Sequence, residues 1–240
     1  MGSIQITSAG ERMQFENAKK NIQSALNLSN TAMANAVLTQ SYLRCIQPLT
    51  PNNTGTSSTG TNFKFPILNN QQGSGLPARP DELRLTLQNA FYMSKIYFYL
   101  FNTGNAAGMN VQPKTYPNPI AFPNGYTNLW TVYNGYCRIT INMNIQMPYY
   151  PMSKFLYVPA TQATAAPGSA SPLDAYDGTL IQPFEPNLVL AGNYDNELEI
   201  MLPAAVGTVD QYTQMAFEIE GVLAQNVALG AYSPAAAYQS

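Results

Sequence analysis

Tyr133-Asn-Gly-Tyr-Cys-Arg-Ile-Thr-Ile-Asn-Met-Asn-Ile-Gln146 is the stretch that decides the fold class. Cys137, Ile139, Ile141, Met143 and Ile145 alternate with Arg138, Thr140, Asn142, Asn144 and Gln146. A period of two puts one set of side chains on each face of a strand. Just ahead, Asn134-Gly135 is the residue pair that tolerates φ > 0 at both centres of a two-residue hairpin turn. Leu129-Trp-Thr-Val-Tyr133 then reads as the partner strand of a hairpin.

The same reading extends outward. Phe91 to Phe101 is an aromatic-rich strand with the composition of one face in a core and the other at an interface. Glu82 to Gln88 alternates with Leu83, Leu85 and Leu87 on one side. Phe155–Val158, Thr179–Ile181, Leu188–Leu190, Leu198–Leu202 and Met215–Leu223 follow, while Phe63–Leu68 is an edge strand because Pro66 cannot sit in a central one. Apart from that edge piece, this makes about eight or nine strands without helices between them, the signature of an antiparallel sandwich or barrel. Long connections at 102–127 and 159–178 suit a jelly roll, whose strands cross between sheets.

The N-terminal segment differs. Ser8 and Glu11 have capping-box spacing, and Met13, Phe15, Ile22, Leu26, Ala36, Val37, Leu43 and Ile46 recur mostly at helical steps. No Gly or Pro interrupts them up to Gln47, although the polar run Asn27–Asn35 suits a break into two helices. Residues 1–47 therefore form a helical arm, 48–80 an extended polar linker, and 81–240 a jelly-roll-like β domain. The expected fold class is mainly β: an antiparallel β-sandwich with an N-terminal helical segment.

Charge is scarce. Of 240 residues only 10% are charged against 45% hydrophobic, and the net charge is −2. Asn, Gln, Thr, Ser and Tyr supply the polarity, and such side chains desolvate at an interface more cheaply than Lys or Glu. Every Lys and Arg lies at or before Lys154, and only acids follow it. Either neighbouring subunits meet through opposite faces, or the two halves interleave within one sheet. No dense basic cluster exists, so nucleic-acid binding is expected to be weak or absent. No apolar run reaches the ~20 residues a membrane span needs. The first residues lack a signal-peptide pattern, and Ile6 breaks a myristoylation motif.

Histidine is absent, which removes His-based triads, His acid–base catalysis and His-containing metal sites together. Glu197 with Glu199, and Glu218 with Glu220, each share a strand face and would be the acid pair of a glycosidase. Their alternation with apolar residues points instead to solvated strand faces. Asp174–Asp177 and Asn193–Asp195 read as turns rather than Ca²⁺ loops. Gly73-Ser-Gly75 lacks the Lys of a phosphate loop. Asn27-Leu-Ser29 and Asn52-Asn-Thr54 match glycosylation acceptors only formally. Cys45 and Cys137 are too few for a disulfide framework, and whether they pair is left open. No catalytic, cofactor-binding or metal-binding residue is expected. Phe15, Ile22, Leu26, Tyr97 and Tyr99 are the candidate interface residues. Trp130 and Tyr133 are the candidate glycan platform of an alternative reading, a carbohydrate-binding β-sandwich module of a phage fibre or cell-surface assembly.

Leu83–Phe91, Val132–Gly135, Val158–Gln162 and Asn196–Pro203, set in strands rich in Asn, Thr, Tyr and Pro, resemble virion structural proteins of bacteriophages, of the jelly-roll capsid type. The likeness covers most of residues 82–223 in general character. It implies a non-enzymatic capsid or capsid-associated protein, made in a host cytoplasm and located in the virion, whose partners are itself and other virion proteins. The departure is the missing Arg/Lys-rich arm, which leaves genome contact weak or to another component.

Overall fold

Asn142 and Met143, in the middle of the apparent single strand, both have positive φ (50° and 63°). Ile141 pairs with Asn144 across them, so they are the two-residue turn of a tight hairpin. The alternation that reads as one strand is two, and the turn keeps its parity unbroken. The Asn134-Gly135 pair instead follows a short helix, with Asn134 at its C-cap.

The computed structural model of the chain describes residues 9–50, 56–67, 85–102, 113–119, 121–158, 182–183 and 188–229. In chain order they form α1 (Ala9–Ala25), β1 (Val37–Pro48), β2 (Ser57–Ser58), β3 (Asn62–Pro66), β4 (Ala90–Asn102) and α2 (Trp130–Tyr133). Then come β5 (Tyr136–Ile141), β6 (Asn144–Pro151), a 3-10 turn (Met152–Phe155) and β7 (Gln182–Pro183). The last strands are β8 (Val189–Ala191), β9 (Asn196–Met201), β10 (Gly207–Thr208) and β11 (Thr213–Gln225). The protein is mainly β, with antiparallel sheets and an N-terminal helix.

The larger sheet has the order β1-β11-β4-β7, with β8 also on β4. The second has the order β3-β9-β5-β6, and β2 pairs with β10. One apolar cluster draws on both larger sheets: Leu43 and Cys45 of β1, Phe98 and Leu100 of β4, Phe217 and Ile219 of β11, against Phe65, Ile139, Leu198 and Ile200. Phe217 sits among Phe98, Phe65 and Phe155, with ring centroids 5.0, 5.1 and 5.9 Å away. Burying one such ring contributes roughly 1.5–3 kcal/mol, and aromatic pairs add to that.

The helix ends well before Gln47. Asn27 is left-handed (φ 50°). The Leu28 N–H bonds to the Gln23 carbonyl at 2.9 Å and the Asn27 N–H to Ser24 at 3.3 Å. This is a Schellman closure with Asn supplying the left-handed residue. Residues 37–48 are then a strand paired along its length with β11, so the expected helical arm holds a helix at 9–25 and a sheet strand at its end. Leu43 and Cys45 point into the core cluster while Ile46 joins a second buried cluster. Burial on both faces removes the two-residue alternation and leaves apolar spacings that pass for helical. Isolated, α1 would be marginal. It is held by Ala18 and Ile22, both fully buried, packed with Tyr92, Val222 and Ala224 of the larger sheet. Phe15 and Leu26 flank them, half-buried.

Three further expectations fail locally. Leu85 to Gln88 is no strand: Leu85 is buried, Leu87 is 72% exposed, and a turn runs through them. Leu83 lies outside the described residues. Trp130–Tyr133 is α2, and Phe155 closes a 3-10 turn rather than opening a strand. By contrast β3, β4, β8, β9 and β11 fall where the pattern puts them, with β3 at a sheet edge and Pro66 at its end. Ser8, Asn52–Thr54, Gly73–Gly75, Asp174–Asp177 and Thr179–Ile181 lie outside the described residues.

Candidate functional site

The acid pairs come first, because paired carboxylates need no histidine. β9 lies between β3 and β5, which sets Glu199 opposite Lys64 on one side and Arg138 on the other. Its carboxylate is only 2% exposed and accepts from Asn62 Nδ2 (2.8 Å) and Arg138 Nε (2.7 Å), with Arg138 Nη2 also in contact. Lys64 Nζ stands 3.9 Å from it and 3.0 Å from Glu197. Burial pushes the Glu199 pKa up, but the hydrogen bonds from Asn62 and Arg138 and the nearby positive charges outweigh it. The group is held below its ordinary value. A general acid needs the opposite shift. Glu197 and Glu199 do share a face, and there they are ion-pair acceptors.

The other pair has a comparable place in its sheet. β11 lies between β1 and β4, setting Glu218 opposite Arg44 and Glu220 opposite Lys95, whose Nζ is 3.3 Å from the Glu220 carboxylate. The sequence asymmetry is thereby explained: base-bearing early strands flank an acid-bearing late strand in both sheets. The halves interleave, and these charges meet inside one chain.

The candidate interface residues are largely covered within the subunit. Ile22 is fully buried, and Phe15 and Leu26 face the sheet beneath α1. Tyr97 and Tyr99 are each 7% exposed, their rings stacked at 6.3 Å on the larger sheet's second face beside Ile46, Phe101 and Ala216. The glycan pair is split by burial. Trp130 is 38% exposed, whereas Tyr133 is 2% exposed and turned onto Phe98 (5.7 Å). Their ring centroids are 6.4 Å apart, and of the two only Trp130 presents open surface.

Exposed apolar surface gathers elsewhere, on the β5–β6 hairpin. Met143 at the turn is 77% exposed, Ile145 54%, Tyr149 71% and Tyr136 47%. Tyr136 and Tyr149 touch edge to face at 6.0 Å. β6 is an edge strand, and its inward residues Met147 and Tyr150 reach the core cluster. The sequence reading missed this group because the Asn142–Met143 turn is invisible to a period-two pattern. The available signal was Asn142 itself, a residue that tolerates left-handed geometry.

Cys45 and Cys137 are free and buried. Burial pushes the Cys45 thiol up to about 12 and raises Cys137 as well, so neither is a nucleophile at neutral pH. Among the described residues no cluster of three Cys, Asp or Glu side chains could hold a metal ion. No described helix is long and apolar enough to cross a membrane. Neither a protein-family model nor a curated protein matches the chain.

Proposed function

We propose that the chain is a virion structural protein, capsid or capsid-associated. Its two sheets stack as a jelly-roll-like β-sandwich, and it self-assembles through that β domain and its N-terminal helix. The observation that carries the reading is the contrast between charge and apolar surface. Strand carboxylates are countered by strand cations of the same chain, while an uncharged apolar hairpin stands open. Paired charges supply no net repulsion between copies, and open apolar groups gain by association. With no histidine, and with Glu197, Glu199 and Glu220 held in ion pairs, the reading is non-enzymatic. No cofactor is invoked, and genome contact is weak or left to another component.

The sandwich arrangement is supported by the shared core of the two sheets. The contribution of α1 to assembly is tested on its outward side at Met13, which is 67% exposed, because its inward residues hold the subunit together. Removing residues 1–47 would also remove most of β1. Electron microscopy with mass photometry across protein concentration and salt tests the proposal. Closed shells, tubes or rings support it. A monomer at every concentration overturns it, and glycan-array screening of wild type against Trp130→Ala then examines the fibre-module alternative.

A further inference from the structure

We infer that Asn124 is a site of self-modification, where the side-chain amide converts to a carboxylate and so loosens the loop around it from the turn before β11. The chain holds the same tripeptide twice, Asn124-Gly-Tyr126 and Asn134-Gly-Tyr136. Glycine after asparagine leaves the following main-chain nitrogen unshielded by a Cβ. That nitrogen attacks the asparagine Cγ and closes a succinimide ring. The N–Cγ bond forms, the Cγ–Nδ2 bond breaks, the glycine N–H proton passes to solvent base, and ammonia leaves with a proton from water. Water then opens the ring to aspartate or isoaspartate. Water is the only co-reactant, and nothing is oxidised or reduced.

The fold treats the two copies differently. The Gly135 N–H donates to the Val132 carbonyl at 3.2 Å, where Asn134 closes α2. A Cβ on Gly135 would lie 2.6 Å from the Met201 carbonyl oxygen, so this peptide is wedged against the end of β9. Its nitrogen must break the cap before it can reach Cγ. The Gly125 N–H makes no hydrogen bond among the described residues. Gly125 is left-handed (φ 76°), and Asn124 is exposed to water. The Asn124 amide donates only to Asp210, and through Nδ2, the group that leaves.

Asp210 sets the consequence. It is 7% exposed, and its carboxylate accepts from the Asn124 main-chain N–H at 3.0 Å and from Nδ2 at 2.7 Å. No cation pairs with it among the described residues. Its carbonyl accepts from the Thr213 hydroxyl at 2.7 Å, at the start of β11. Conversion replaces the Nδ2 donor with a second carboxylate oxygen. A hydrogen bond then becomes a like-charge contact with little water to screen it. The same loop carries Phe122 and Leu129, both fully buried, into the core. Its remaining side-chain tie to this turn is Asn128 Nδ2 on the Thr208 carbonyl at 2.7 Å.

The test ages wild type in warm, mildly alkaline buffer and maps peptides by mass spectrometry, with isoaspartyl methyltransferase labelling to mark isoaspartate. In the folded protein Asn124 is expected to convert roughly tenfold faster than Asn134, the worth of one cap hydrogen bond. In denaturant the two should convert at similar rates. Conversion at Asn124 that is absent, or no faster than at Asn134 in the folded protein, overturns the inference. A second arm melts Asn124→Asp, expected to fall by roughly 4 °C. Asn124→Asp/Asp210→Asn exchanges acid and amide across the same contact and should regain most of that loss. A single variant that melts with wild type, or a double variant that melts no higher than the single, overturns the coupling to Asp210. Should Asn124→Asp not fold, the melt of aged wild type is followed against the converted fraction instead. A melt that falls with conversion supports the coupling, and an unchanged one overturns it.

Discussion

β11 and β6 are built from similar material and meet opposite fates. β11 runs Thr-Gln-Met-Ala-Phe-Glu-Ile-Glu-Gly-Val-Leu-Ala-Gln, flanked by β1 and β4, with both of its faces largely covered. β6 runs Asn-Ile-Gln-Met-Pro-Tyr-Tyr-Pro, flanked among the described residues by β5 alone and largely open. Apolar content does not separate them. Neighbours do. A strand's composition says what it can bury, and its place in the sheet says whether it has done so.

Four substitutions sharpen that contrast, taken from the largest effect downward. Phe217→Ala empties the centre of the shared core and is expected to cost about 3–5 kcal/mol, read from the denaturant midpoint. A loss under about 1 kcal/mol would break the claim that both sheets close on this ring. Glu199→Gln removes the charge that holds Arg138 and is expected to cost about 1.5–3 kcal/mol at neutral pH. The folded-state pKa of Glu199 lies below its ordinary 4.5. Its stabilisation is therefore complete above that value and is lost as pH falls through the depressed one. Wild type should weaken across this acid window and the Gln variant much less, as melting against pH would reveal.

Gly221 stands where the β11–β4 register shifts, and a Cβ there would lie 1.9 Å from the Tyr92 carbonyl oxygen. Gly221→Ala is expected to cost about 1–3 kcal/mol through forced strand separation. An unchanged melt would mean that the bulge yields freely. Tyr149→Ser, on the open strand, should change monomer stability by no more than about 0.5 kcal/mol. A much larger loss would show that β6 is already covered within the subunit.

The legible parts of the sequence were those where one physical demand acts alone. β9 has Leu198 and Ile200 inward and Glu197 outward, and β3 has a proline at its end; each was found. β1 is apolar on both sides in its second half, so its spacing mimicked a helix until the left-handed Asn27 ended α1. Leu83, Leu85 and Leu87 alternate like a strand, yet Leu87 sits within a turn closed by the Asn89 N–H on the Thr86 carbonyl, which periodicity cannot register. The acid pairs were correctly placed on single faces, but their cations belong to strands more than fifty residues earlier, and spacing carries no signal at that range. The exposed hairpin was hidden by its own regularity.

The middle position of β11 has a consequence for synthesis. Among the described residues β1 and β4 are joined in the sheet only through it, and Leu43 pairs with Ile219, 176 positions later. At roughly 5–20 residues per second on a ribosome, β1 waits about 9 to 35 s for the strand that completes its side of the sheet. β9 likewise arrives after both of its neighbours. During that interval the inward faces of four early strands, and the Cys45 thiol later sealed among them, are open to solvent, chaperones and oxidants. The moment of greatest hazard for this chain comes before its last strands emerge, when nascent copies in one polysome present the same incomplete sheets to each other.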